Sequence, residues 1–366
     1  MKFRILLAAA VLFVFAICAS ASEEKCVDCH GRENPNLVKD WDSSAMARKG
    51  MGCADCHGKE HDGPTNVAKA ILPTIKQCSK CHEKQASRFM LGKHARAEEA
   101  LSIPPMGKKV GKQAPVVFRR SCATCHQEIC KGGGQCDACH SRHRFSTEEA
   151  RKPEACLPCH MGNHPQYEAY GFSKHGALYK SRGLDDAVPT CTTCHMPKGD
   201  HMVKTSWGFF GIRGKEPDPK QAAIQKKVKK SLSMLGPILA PDSVRPDMAQ
   251  WSERREAMLD VCSDCHSRSH AEAHLKEGDE VVSQANKMAA GMISASDQLK
   301  ALGELNQKEY FWLIRDKMHA QRMGMYINAF HQNPEGVLLD FIHFKRETMA
   351  LKKRIQQTGK RSPDKK

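Results

Sequence analysis

Ser121–Tyr179 reads SCATCHQEICKGGGQCDACHSRHRFSTEEARKPEACLPCHMGNHPQYEAYGFSKHGALY. Three Cys-x-x-Cys-His units fall within it, at Cys122–His126, Cys136–His140 and Cys156–His160, and His143, His164 and His175 stand between and after them. Two thiols followed at once by an imidazole form the attachment pattern of a c-type haem: the thiols bond the porphyrin and the His takes one axial position on the iron. One isolated copy could equally be a disulfide or a zinc-ligand pair. From the Cys and His frequencies of this chain, chance predicts roughly 0.05 copies. The whole chain has eight, beginning at Cys26, Cys53, Cys78, Cys122, Cys136, Cys156, Cys191 and Cys262. We read eight covalently attached haems c. Their second thiols are Cys29, Cys56, Cys81, Cys125, Cys139, Cys159, Cys194 and Cys265, and their proximal ligands His30, His57, His82, His126, His140, His160, His195 and His266.

The remaining cysteines fit that reading. Of 18 cysteines the motifs take 16, leaving Cys18 and Cys130, so no intramolecular disulfide framework is expected. Cys18 lies in a stretch that reads as a secretion signal over residues 1–21, with Lys2 and Arg4 before the apolar run Ile5–Ile17 and Ala19-Ser20-Ala21 at its end. A run of 13 residues is too short to span a bilayer. The expectation is a soluble protein exported to the periplasm or beyond, where thiols are managed by redox machinery. The formal charge of +16 would ordinarily invite a nucleic-acid or membrane-surface partner. Eight haems bring about 16 propionates that offset it, and the Lys and Arg residues are scattered rather than grouped with aromatics. No nucleic-acid partner is expected. The basic tail Lys352–Lys366 reads first as a solvated end, with docking to an acidic partner or a membrane surface as the alternative.

Seven motifs crowd into Cys26–His195, and the eighth follows a gap of 66 residues. That division gives a haem-rich portion over residues 22–215 and a helical portion carrying the eighth motif over 216–366. Aromatic content is only 6% and the first portion has little apolar periodicity, a thin core for such a length. Short helices and loops wrapped around porphyrin faces are therefore expected there. Beyond Trp207, Lys220–Leu235, Asp247–Val261 and Val337–Ile355 space their apolar residues as helices do, and Tyr310–Phe330 mixes helical spacings, as a helix buried on more than one side does, with Asn333-Pro334 as a break. The fold class is mainly α: a multihaem cytochrome c with a C-terminal bundle of long helices. Its methionines are expected to fill core space rather than bind iron.

A haem that only passes electrons has both axial positions filled, whereas one that does chemistry needs one open. Nineteen histidines less eight proximal ones leave eleven: His61, His94, His143, His164, His175, His201, His270, His274, His319, His331 and His343. That number permits eight closed irons or seven closed and one open. The distal set read from placement beside the motifs is His61, His94, His143, His175, His201, His270 and His331, with His274 the rival of His270 one helical turn away.

Several runs resemble the octahaem hydroxylamine oxidoreductase family: Gly134–Ser146, Cys159–Gln166, Ser173-Lys174-His175-Gly176, Pro189–Met196 and Ala329–Pro334. The order of eight motifs, three before Ser121 and one after a long gap, is also similar, although the chain is short for the family. The resemblance makes the haem on Cys122 and Cys125 the catalytic one, with His126 its proximal ligand and His164 facing its open side. Asn163 stands where the family has an Asp. An amide can hydrogen-bond substrate but cannot take up a proton as a carboxylate can. Members that oxidise hydroxylamine carry a C-terminal tyrosine cross-linked to the catalytic haem, and this chain has no tyrosine after Tyr326. It therefore resembles the branch without the cross-link, which implies reduction of nitrite or hydroxylamine.

The resemblance also implies a homotrimer and a redox partner such as a quinol dehydrogenase or a small cytochrome. The alternatives are an electron-transfer protein with every iron closed and a hydroxylamine dehydrogenase, which the missing tyrosine disfavours.

Overall fold

The computed structural model describes residues 24–92, 94–95, 136–161, 165–203, 205, 218–233 and 248–361. Among the described residues the chain forms helices and turns and no strands. The two portions have different textures.

From residue 24 to 205 the helices are short. They include Pro35–Asp42, Cys53–His57, α1 (Glu83–Met90), Gln166–Gly171, α2 (Lys174–Arg182) and Cys191–His195. Proline starts several of these pieces and small polar residues cap others. The Asn34 side chain accepts from the Leu37 N–H before Pro35, and the Ser173 hydroxyl accepts from the Gly176 N–H at 3.0 Å. Burial is sparse: Ala86, Ala169, Tyr170 and Val188 are the buried apolar side chains described here besides Pro153.

The C-terminal portion has a core of its own. It consists of α3 (Pro219–Ser233), α4 (Met248–Ser263), α5 (Arg268–Ala301), a segment running from Gln307 into α6 (Ala320–Phe330), and α7 (Pro334–Arg361). Helix α5 has 34 residues, about 50 Å at 1.5 Å per residue. Its buried positions Ala271, Leu275, Gly278, Val282, Ala285, Ala289, Met292, Ser296 and Leu299 recur every three or four residues, the stripe of a helix packed along one side. Against this stripe lie Val228 of α3, Ile314, Met318, Met325 of α6, and Phe344 and Leu351 of α7. Met292, Met318 and Met325 are thus core residues. Gly278 lets α5 and the end of α6 touch, since a Cβ there would lie 2.5 Å from the Phe330 ring.

Two details differ from the sequence expectation. Tyr310–Phe330 is not one uniform helix: an α-helix over Gln307–Trp312 passes through a π-helical turn at Leu313–His319 before α6. A π turn adds a residue to the i to i+4 repeat and rotates the apolar face, which accounts for the mixed apolar spacing. Helix α7 begins at Pro334, earlier than Val337. Asn333 caps it by accepting from the Gly336 N–H at 3.1 Å, while its amide donates to Asn328 Oδ1 at 2.9 Å. Asn328 in turn donates to Asp340 of α7 at 3.0 Å. This corner fixes His331, the residue that closes α6.

Candidate haem sites

Each described Cys-x-x-Cys-His unit is built on a helical turn. Where no regular helix runs the length of the unit, the His N–H still donates to the carbonyl of the first Cys: His82 to Cys78 at 2.9 Å, His140 to Cys136 and His160 to Cys156 at 3.0 Å, and His266 to Cys262 at 2.9 Å. Residues i, i+3 and i+4 then share one face, so two thiols and an imidazole point the same way. None of the 14 motif cysteines among the described residues is joined in a disulfide. The turns adjoin one another in a defined order. Cys56 feels the field of Cys78, the Cys78 and Cys136 thiols share a hydrogen bond, Cys139 faces Cys156, Cys156 and Cys191 share a hydrogen bond, and Cys194 faces Cys262. Burial pushes the Cys139 and Cys194 thiols up to about 11.

The histidines come in pairs. Ring centres are 6.0 Å apart for His30 and His61, His57 and His143, and His94 and His160. They are 6.3 Å apart for His140 and His201, and 6.1 Å for His175 and His266 and for His195 and His331. In every pair one ring belongs to a motif and the other does not. A metal–imidazole bond of about 2.0 Å, with about 1.2 Å from ring nitrogen to ring centre, puts two imidazoles on opposite sides of one iron about 6.4 Å apart. The observed separations match that span.

The outward nitrogens are tied down as metal-ligand histidines usually are. Nδ1 of His57 lies 2.8 Å from the Ile71 carbonyl, that of His201 2.8 Å from the Gly199 carbonyl, and that of His331 2.8 Å from the Ile327 carbonyl. His61 and His160 use the side-chain oxygens of Asn66 and Gln166, at 3.1 and 3.2 Å. A carbonyl at Nδ1 selects the tautomer whose Nε2 is a bare acceptor. Burial lowers the pKa of His140, His143, His160 and His175, and brings His331 down to about 4. They are held neutral, the form that binds metal.

His270 is placed differently from the other distal candidates. Its ring is 5.0 Å from His266, too close for an iron to stand between them, and His175 occupies the 6.1 Å position. This geometry makes His175, rather than His270 or His274, the residue across from His266. His274 has a buried Nε2 with no hydrogen-bond partner. His82 faces no second imidazole at such a distance among the described residues. Cys122, Cys125, His126, Cys130, Asn163 and His164 lie outside the described residues, as does the stretch read as a signal.

Covalently held porphyrins fit this arrangement. Two imidazoles supply two ligands, and the thiols on each turn lie beside the proximal ring. Apolar side chains that the protein leaves uncovered in the same portion include Leu72 at 82% exposure and Phe172 at 71%, with Val67, Leu91 and Met161. Side chains of this kind normally need an apolar cover, which haem faces would give.

The sequence model of the family described as "Seven times multi-haem cytochrome CxxCH" matches residues 113–297. The chain belongs to this multihaem cytochrome family. Its membership implies covalently bound c-type haems. A curated relative, the probable nitrite reductase-hydroxylamine oxidoreductase fusion protein of Kuenenia stuttgartiensis, is 28% identical over 299 residues. The match covers 68% of this multihaem cytochrome and 34% of that relative, so the chain spans about a third of the relative's length. Among solved structures, a reducing HAO-like protein complex of Kuenenia stuttgartiensis superposes with a TM-score of 0.70 at 21% identity, covering 93% of this chain and 86% of that one. A hypothetical multiheme protein superposes at 0.67 and 18% identity, covering 93% and 96%. The multihaem cytochrome thus has the fold of HAO-like proteins. No described helix is long and apolar enough to cross a membrane.

Proximal ligands of this cytochrome can be read from the motif itself. Which distal ring faces which motif could not be, because partners stand far apart in sequence, as His94 and His160 or His195 and His331 do. The Nδ1 acceptors carry little sequence signal: Asn66 and Gln166 stand five and six residues after His61 and His160, and the others named above are backbone carbonyls.

Proposed function

We propose that this chain is an exported cytochrome with eight covalent haems that reduces nitrite or hydroxylamine at an open iron, fed by irons closed with two histidines. The observation that carries the electron-feeding part of the reading is the set of six imidazole pairs 6.0–6.3 Å apart. These pairs would hold irons for electron passage only. The order of neighbouring motif thiols among the described residues, from Cys56 through Cys78, Cys136, Cys156 and Cys191 to Cys262, supports a relay through these motifs. The curated relative's name, which joins nitrite reductase to hydroxylamine oxidoreductase, supports the substrate class.

The haems, when bound, supply the redox chemistry, including the position where a nitrogen compound can bind iron. The protein's part is to hold neutral imidazoles in place, to exclude competing ligands and to deliver protons. In this reading His126 would be the proximal ligand of the catalytic haem, His164 would supply a proton to the substrate, and Asn163 would hydrogen-bond it. Electrons enter from a quinol dehydrogenase or a small cytochrome, and the long C-terminal helices contribute to a homotrimer.

His164→Ala tests the assignment. Reduction of hydroxylamine or nitrite by a reduced dye should fall at least about tenfold, the lower part of the range for a positioned acid–base group. The low-spin haem signals should be unchanged. Loss of a low-spin signal with appearance of a high-spin one would instead make His164 an axial ligand, and favour the second reading, an electron-transfer protein with all irons closed. The six closed pairs are the observation on which that second reading rests.

A further inference from the structure

We propose that the ion pair between Arg88 and Asp200 is a clamp that positions two axial histidines at once, His94 and His201. The inference rests on the reading of His94–His160 and His140–His201 as iron-binding pairs, and it adds a function for residues outside any motif.

Arg88 lies in the last turn of α1. Its guanidinium meets the Asp200 carboxylate in a two-pronged contact, Nε to Oδ1 at 2.9 Å and Nη2 to Oδ2 at 2.7 Å. That fork is the directional form of an Arg–carboxylate pair. The same groups extend to the next residues. Asp200 Oδ1 also accepts from the Met202 N–H at 3.1 Å, and Arg88 Nη2 lies 3.4 Å from Met202 Sδ.

His201 therefore has both chain neighbours fastened to Arg88, directly or through the carboxylate. Its ring is fixed by the Gly199 carbonyl, 2.8 Å from Nδ1, and stands 6.3 Å from His140.

On the other side of the contact, α1 runs through Leu91 to Gly92, where a Cβ would collide with the Met202 carbonyl oxygen and carbon. No other residue type could let these two segments approach so closely. His94 follows Gly92 by two positions, and its ring stands 6.0 Å from His160. The segments that carry His94 and His201 are thus seated on each other, and the Arg88–Asp200 fork locks them across 112 positions of sequence. The two motifs concerned lie within each other's field, since Cys156 of one raises the pKa of Cys139 of the other. An ion pair whose members are 34% and 21% exposed is worth little if all it does is join two surfaces. Placed here it controls the aim of two ligands.

Arg88→Ala in the fully haem-loaded protein should leave haem count and helical circular dichroism unchanged while shifting two haems per chain from low-spin toward high-spin. Added imidazole should restore the low-spin signals, because the irons lose an aimed ligand rather than their pocket. Arg88→Lys, which keeps the charge but not the fork, should be intermediate. Asp200→Asn, nearly isosteric, carries the same test if Arg88→Ala is not matured by the cell. Arg354→Ala removes an ion pair of similar exposure with Glu304 in the C-terminal bundle and should leave every haem signal alone. Unchanged spectra in both Arg88→Ala and Asp200→Asn, or an equal change in Arg354→Ala, would overturn the clamp. His94→Ala and His201→Ala should each produce one high-spin haem whatever the clamp does. If they do not, the axial pairing itself is wrong.

Discussion

Protein made without cytochrome c maturation machinery should keep only its C-terminal bundle. Between residues 24 and 205 the described chain buries few apolar side chains and leaves Val67, Leu72, Leu91 and Phe172 uncovered. Such a stretch cannot offset the entropy of ordering its backbone, about 1–2 kcal/mol per residue. The bundle is different. Met292, Leu299, Ile314, Met318, Met325 and Phe344 are almost completely buried in one cluster, and each such side chain contributes about 1.5–3 kcal/mol. Limited proteolysis of the apoprotein should therefore destroy residues 24–205 within the time that a fragment containing 268–361 survives. The haem-loaded protein should resist in both portions. An apoprotein whose N-terminal portion resists proteolysis as well as the holoprotein would show that side chains, not porphyrins, make that core.

His331→Ala should convert one haem per chain from low-spin to high-spin. This residue is held from several sides. It closes α6, its Nδ1 is held by Ile327, and the Asn333 cap and the Asn328–Asp340 bond fix the corner around it. Its ring faces His195 at 6.1 Å, and burial brings its pKa down to about 4. Removing the imidazole should leave the iron on His195 with a single protein ligand. His331→Met should keep the iron six-coordinate and raise its potential, since thioether ligation favours the reduced state. An unchanged low-spin count in His331→Ala, measured by electron paramagnetic resonance, would remove His331 from the ligand set.

The cofactor class was legible at once, because Cys-x-x-Cys-His states its chemistry in five residues. Helix α7 was legible too, in the apolar spacing of Val337–Ile355, whereas the 34-residue α5 was not among the helices read from the sequence. What could not be read was anything made by two distant segments. Arg88 and Asp200 look like ordinary charged residues until the fold sets them in contact, and His175 has no local mark that makes it, rather than His270, the ring across from His266. The π turn at Leu313–His319 blurred the helical period, so Tyr310–Phe330 read as one helix buried on several sides. Asn333-Pro334 was legible as a break, but its second role as the cap that starts α7 depends on Asn328 and Gly336 being brought beside it.

An electron paramagnetic resonance spectrum of the oxidised, fully haem-loaded protein, with haem content counted by mass spectrometry on the same sample, separates a reductase from a pure relay. An open iron fed by closed ones predicts eight haems, at least six of them low-spin with two imidazoles, and a high-spin ferric signal of at least one haem per chain that shifts on adding hydroxylamine or nitrite. Eight low-spin haems and no response to either compound would contradict it, and would leave a relay with no place for chemistry.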